Sequence, residues 1–154
     1  MNKSSIPPVE KTITVPLELS EAFKLFTDGI GTWWPLHRHS VDGENSSDCQ
    51  IEGFVGGRFY EIMKDGSQAE WGKVMAWLPP HRLVVTWHPG REAETAQELE
   101  ISFSTVAEGT QVHLLHRGWE ILGEAAEEAR QQYVPGWDFV LGHYITAANK
   151  KPVE

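Results

Sequence analysis

The chain has 154 residues, 40% of them hydrophobic, and 22 acidic against 13 basic side chains give a formal charge of −9. No stretch gathers the Lys and Arg needed to meet nucleic-acid phosphates or anionic lipid, so both partners are disfavoured. Residues 1–10 carry no apolar run, no segment approaches the ~20 apolar residues of a membrane span, and Cys49 is the only cysteine, so a cytoplasmic setting is expected.

Residues 1–8 are polar, with two prolines, and read as a flexible lead-in. Val9, Ile13 and Val15 share one parity and predict a first strand over 9–15. Leu19, Ala22, Phe23 and Phe26 fall at i, i+3, i+4 and i+7, one face of a helix. Glu18 or Ser20 is placed to cap it, and Asp28-Gly29-Ile30-Gly31 ends it. Thr32-Trp33-Trp34-Pro35 reads as a second short helical turn stopped by proline. A polar loop over 36–48 precedes strands at about 49–54, 57–63, 70–78, 81–88, 97–106 and 110–118. Turns fall at Asp65-Gly66, Pro79-Pro80 and Glu108-Gly109. Residues 120–150 are helical, with a kink expected at Pro135-Gly136. Beyond it, Trp137, Val140, Leu141, Tyr144, Ile145 and Ala148 keep helical spacing as a wide aromatic stripe.

Consecutive strands with short turns imply an antiparallel sheet, and one face of it must be buried. The terminal helix is the natural cover. The fold class is α+β, in one domain over 1–154, with no repeats.

Several segments together resemble the START-like, or SRPBCC, superfamily of pollen-allergen-type proteins and polyketide cyclases. They are Val15–Thr27 (VPLELSEAFKLFT), Gly31–Leu36 (GTWWPL), Gly56–Glu61 (GGRFYE), Trp71–Pro80 (WGKVMAWLPP), Leu83–Trp87 (LVVTW), Gly109–Trp119 (GTQVHLLHRGW) and Gly136-Trp137. Within the superfamily, the chain is most similar to the family named after the activator of the heat-shock-protein-90 ATPase, in its single-domain bacterial form. The resemblance implies a helix-grip fold: a curved sheet wrapped around the long helix, with a hydrophobic cavity between them. It does not imply chaperone activation, an activity of larger proteins with a further domain, for which 154 residues leave no room.

Ligand cavities are mostly apolar and aromatic, with a few polar groups. The aromatic candidates for the lining are Trp33, Trp34, Trp71, Trp77, Trp87, Phe103, Trp137 and Tyr144; plain core packing is the simpler reading of any one of them. Trp33 and Trp34 read as a lid at the mouth, so Trp34→Ala is expected to weaken ligand binding more than it lowers stability. Strand parity puts Leu83, Val85 and Trp87 on one face, as it does Leu99, Ile101 and Phe103, and Val112, Leu114 and His116, with Glu98, Glu100, Ser102 and Ser104 outward.

His116 is titratable on an apolar face. It is either a satisfied core histidine or a handle that orients a ligand or moves a proton. Glu61 is a cavity candidate too, although both faces of strand 57–63 carry apolar residues; inside, it would form an acid/base couple with His116. His113 and His116 lie three apart on a strand, hence on opposite faces, and share no ion. His37, His39 and Cys49, with Asp42 or Asp48, form no recognised zinc spacing, so no metal or cofactor is expected. There is no nucleophile elbow and no phosphate loop, and the glycines of Gly53–Gly57 read as a bulge or strand bend.

The partner expected is a small apolar or aromatic molecule, with a homodimer left open. A cyclase- or hydrolase-like enzyme and a chaperone-associated interaction domain are the alternatives.

Overall fold

A computed structural model describes residues 6–41 and 43–150. Asp42 and most of the expected lead-in lie outside them. Of that lead-in, residues 6–8 are irregular and tied down: Arg130 donates to the Pro7 and Pro8 carbonyls, and the Ile6 N–H donates to Glu120.

The elements run β1 (Val9–Val15), α1 (Leu19–Thr27), β2 (Ser46–Ile51), β3 (Arg58–Met63), β4 (Gln68–Leu78), β5 (Arg82–Trp87), β6 (Gln97–Val106), β7 (Gly109–Arg117) and α2 (Ala126–Lys150). Short 3-10 turns occupy Ile30–Thr32, Gly43–Asn45, Ala93–Thr95 and Trp119–Ala125. The expected turn after α1 therefore ends where Trp33 begins. Glu18 holds the cap position of α1 but makes no side-chain cap bond.

The strands form one seven-stranded antiparallel sheet, ordered β1-β7-β6-β5-β4-β3-β2. Register breaks put one extra residue into β2, Ser47, and two into β4, Trp71 and Met75. Each increases the local twist, so the sheet curls. Gly72 serves the same curvature: a Cβ there would collide with the Thr86 carbonyl oxygen on β5.

The concave face is apolar, as strand alternation dictates. Leu83, Val85, Trp87, Leu99, Ile101, Phe103, Val112, Leu114 and His116 are all buried on it. Trp137, Val140, Leu141, Tyr144 and Ala148 supply the buried stripe of α2 that covers it. Outside, Glu100 accepts from Arg82 Nε at 2.6 Å and from Arg117 at 2.7 Å, and Arg117 also pairs with Glu98. The bond from Arg82, then that from Arg117, holds the Glu100 carboxyl below its ordinary range. The architecture is the α+β helix grip.

One expectation about the C-terminal region is corrected. α2 continues through Pro135, and the break falls at Gly123 (φ 62°, ψ −127°), between the 3-10 turn and α2. Proline removes only the bond to the Gln131 carbonyl, and it does so on an exposed stretch of the helix, where losing one such bond costs least. Glycine alone adopts the Gly123 conformation readily.

Tyr144 ties α2 to α1, its hydroxyl donating to the Ala22 carbonyl at 2.8 Å in a fully buried setting. Tyr144→Phe is expected to lower the unfolding free energy by about 1 kcal/mol, the net worth of one such bond, as read by urea denaturation.

Candidate functional site

Four indoles converge where β4, β5, α2 and the segment after the 3-10 turn meet. Trp34 lies 5.2 Å from Trp71, 6.1 Å from Trp87 and 5.9 Å from Trp137, ring centre to ring centre. Trp71 and Trp87 are 5.8 Å apart, and Trp87 and Trp137 5.5 Å. Above them opens a cleft of about 290 Å³. Arg38, His39 and Ser40 line it together with Pro89 and the α2 residues Gln132, Tyr133, Gly136 and Val140. Most of the remaining space between sheet and helix is filled by aromatic rings.

The sequence candidates therefore divide. Trp34, Trp71, Trp87 and Trp137 wall the cleft. Trp33, Phe103, Tyr144 and Trp77 belong to an adjoining aromatic cluster under α1, which meets the wall where Trp33 packs 5.8 Å from Trp34. There Trp33 packs 5.1 Å from Tyr144, and Phe103 and Trp77 each lie 5.2 Å from Phe23. The Trp33 indole donates to the Leu25 carbonyl at 2.9 Å. The lid reading is corrected accordingly: Trp33 does not line the cleft, and Trp34 is 6% exposed and part of its wall.

Glu61 and His116 lie behind that wall. On β3 the inward set is Phe59, Glu61 and Met63, while Arg58 stacks 4.2 Å from the Tyr60 ring on the other face. Glu61 accepts from the Trp71 indole at 2.6 Å and from the Val41 backbone N–H at 2.7 Å. It thereby holds one cleft wall and the rim loop together.

His116 has both ring nitrogens engaged. Nδ1 lies 3.0 Å from Trp137 Nε1, and Nε2 lies 2.9 Å from Gln97 Oε1. An indole N–H can only donate, so Nδ1 must be the acceptor and the proton sits on Nε2. Gln97 must then present its oxygen. Burial, then the positive charge of Arg91, lowers the His116 pKa to about 3. His116 is thus a neutral hydrogen-bonding strut that orients Trp137. It is not available as a proton shuttle, and the Glu61–His116 couple does not form. His113, on the opposite face of β7, pairs with Glu10.

Tyr133 was not among the sequence candidates, yet it lines the cleft. Its oxygen accepts from the Trp87 indole at 3.0 Å, which leaves the phenol proton for an acceptor in the cleft. Burial raises its pKa, so the proton stays on at neutral pH. The signal was legible: Tyr133 precedes Trp137 by four and shares its helical face. Gln97 could likewise have been found, because its parity matches Leu99, Ile101 and Phe103. The rim residues Arg38, His39 and Ser40 carried no periodic signal.

His39 has its pKa lowered, by partial burial first and then by Arg38, His37 and His143. Arg38 is therefore the charged group at the rim. Cys49 is buried on β2 and paired in register with Glu61; burial pushes its thiol far up, so it is no nucleophile. Among the described residues no group of three or more metal-ligating side chains occurs. No helix among them is long and apolar enough to cross a membrane.

Comparison with known proteins accords with this geometry. Protein NE0264 from Nitrosomonas europaea shares the fold at 16% identity over 92% of this chain and 91% of its own, with a TM-score of 0.64. CalU16 from Micromonospora echinospora does so at 19% identity over 88% and 73%, TM-score 0.58. Txn09, an anthrahydroquino-γ-pyrone synthase, is 34% identical over 80% of this chain and 84% of its own, TM-score 0.58. No protein of curated function matches. The model of the family described as activator of Hsp90 ATPase homolog 1-like protein matches residues 16–145, and with the helix-grip fold in place this chain belongs to that family.

Proposed function

We propose that the chain binds a small planar aromatic molecule in the cleft. The observation that carries this reading is the placing of four indoles around one opening of about 290 Å³. That volume sits at the small end of ligand sites and suits two or three fused rings. Stacked or edge-on ring contacts supply the attraction, and the Tyr133 hydroxyl supplies a donor for a carbonyl or hydroxyl on the guest.

Gly136 gives a clean test. It lies on the cleft wall, and a Cβ there would meet only the His39 ring, at an ordinary 3.7 Å. A longer side chain at this position enters the cleft without displacing backbone. By titration calorimetry, 2-naphthalenemethanol is expected to bind one per chain. Gly136→Leu is expected to weaken it more than about tenfold while keeping the fold, since leucine is the better helix former. Unchanged affinity in Gly136→Leu would place the probe elsewhere and remove this reading.

A second reading, catalysis on the bound ring system, is favoured by one observation: the 34% identity to a synthase whose product name describes fused aromatic rings. Tyr133 would then hydrogen-bond a developing oxyanion on the substrate.

A further inference from the structure

Acidic side chains outnumber basic ones by 22 to 13 in this chain, so carboxylate partners for arginine are plentiful. Arg58, Arg82 and Arg117 all form ion pairs. Arg130 holds the Pro7 and Pro8 carbonyls. Of the other two, Arg38 lines the cleft and Arg91 acts on its residue Tyr133, and among the described residues neither meets a carboxylate within ion-pair distance.

Arg91 is half-buried beyond Pro89 and Tyr133. Its guanidinium donates to the Thr95 carbonyl at 2.6 Å, the Thr95 hydroxyl at 2.7 Å and the Trp87 carbonyl at 3.2 Å. All three acceptors are neutral, so its charge is uncompensated. It acts on the ring of His116 and the hydroxyl of Tyr133.

Arg38 is on the rim itself, exposed, with its guanidinium 4.6 Å over the Phe139 ring. Stacking uses the face of the guanidinium and leaves its in-plane N–H groups free. Those groups make no hydrogen bond among the described residues. No Asp or Glu lines the cleft. The carboxylate behind the wall, Glu61, is turned to Trp71 and Val41.

We propose that the guest is a planar aromatic acid, its rings against the indole wall and its carboxylate on the fork of Arg38. This rests on the cleft being a ligand site. A guanidinium fork with its in-plane N–H groups free pairs with a carboxylate in two parallel bonds, and the charge of Arg91, which reaches the cleft residue Tyr133, favours the same sign.

The test compares 2-naphthoate with 2-naphthalenemethanol at neutral pH, by titration calorimetry on the full chain. The acid is expected to bind about tenfold tighter than the alcohol, and added salt should erode that preference. In Arg38→Gln the ratio of the two affinities is expected to fall to near one; Arg38→Lys keeps part of it, because the charge remains and the fork is lost. Equal affinity of wild type for acid and alcohol would overturn the charge assignment and leave the aromatic cleft standing. If neither probe binds, both readings fall. An acid preference that survives Arg38→Gln unchanged would also overturn the assignment to this residue.

Discussion

Lowering the pH from 6.5 to about 4.5 is expected to remove about 2 kcal/mol of unfolding free energy through His116 alone. In the unfolded chain this imidazole titrates near 6.5; in the folded chain it stays neutral down to about 3. Between those values the unfolded state binds the extra proton, so stability falls as pH falls. The full window is worth roughly 5 kcal/mol at about 1.4 kcal/mol per pH unit. The cause is structural: protonating Nδ1 would set an N–H against the Trp137 N–H in a fully buried site. Six other histidines and the carboxylates also titrate near this range, so the contribution of His116 is read by urea denaturation as the difference between wild type and a variant that lacks the imidazole. His116→Gln, which cannot titrate, is expected to be less stable than wild type at neutral pH but to lose distinctly less on acidification. Parallel curves for the two proteins would mean that His116 opens to water before it protonates.

Trp34→Ala is expected to cost about 3–5 kcal/mol, as for other large-to-small core changes. This reverses the expectation from sequence, which gave Trp34 a lid's modest structural role. In the folded chain its ring touches Trp33, Phe59, Trp71, Trp87 and Trp137, and its indole donates to the His39 carbonyl at 2.7 Å. Truncation leaves a void in the wall and frees the rim loop at once. Trp34→Phe keeps most of the contacts and should lose less than half as much. A loss under about 1 kcal/mol for the alanine variant would show that the wall closes over the gap.

The fold was legible because alternation and helical spacing repeat along the chain. β1 and β6 fall where the alternation ends, and the inward parity of β5, β6 and β7 follows from the chemistry of single residues. β3 was ambiguous for a physical reason. Both of its faces carry apolar residues, and Tyr60 is buried on the outer one by Gln50 and Arg58. Only the fold shows that Glu61 points inward, because its partners, Trp71 and Val41, lie ten and twenty residues away. The division of the tryptophans was hidden for the same reason. Trp33 and Trp34 are neighbours in sequence, yet one joins the α1 cluster and the other the cleft wall. That choice is made by the irregular backbone after the 3-10 turn, which has no periodicity to read.

The pairing of β1 with β7 has a consequence for how the protein is made. Val9 lies in register with His116, and Val15 with Thr110. The strand synthesised first therefore waits for the one synthesised last, while β2 to β7 can form in order as a meander of neighbouring hairpins. Contacts this far apart in the chain slow folding, because the intervening loop must close before the pairing rewards it. Until then the outer edge of β7 is an open ladder of backbone groups, and β1 is an extended segment free to pair elsewhere. At high concentration in a cell the nearest competitor is the β7 edge of another nascent copy, so exchange of β1 between copies is the misassembly this topology invites.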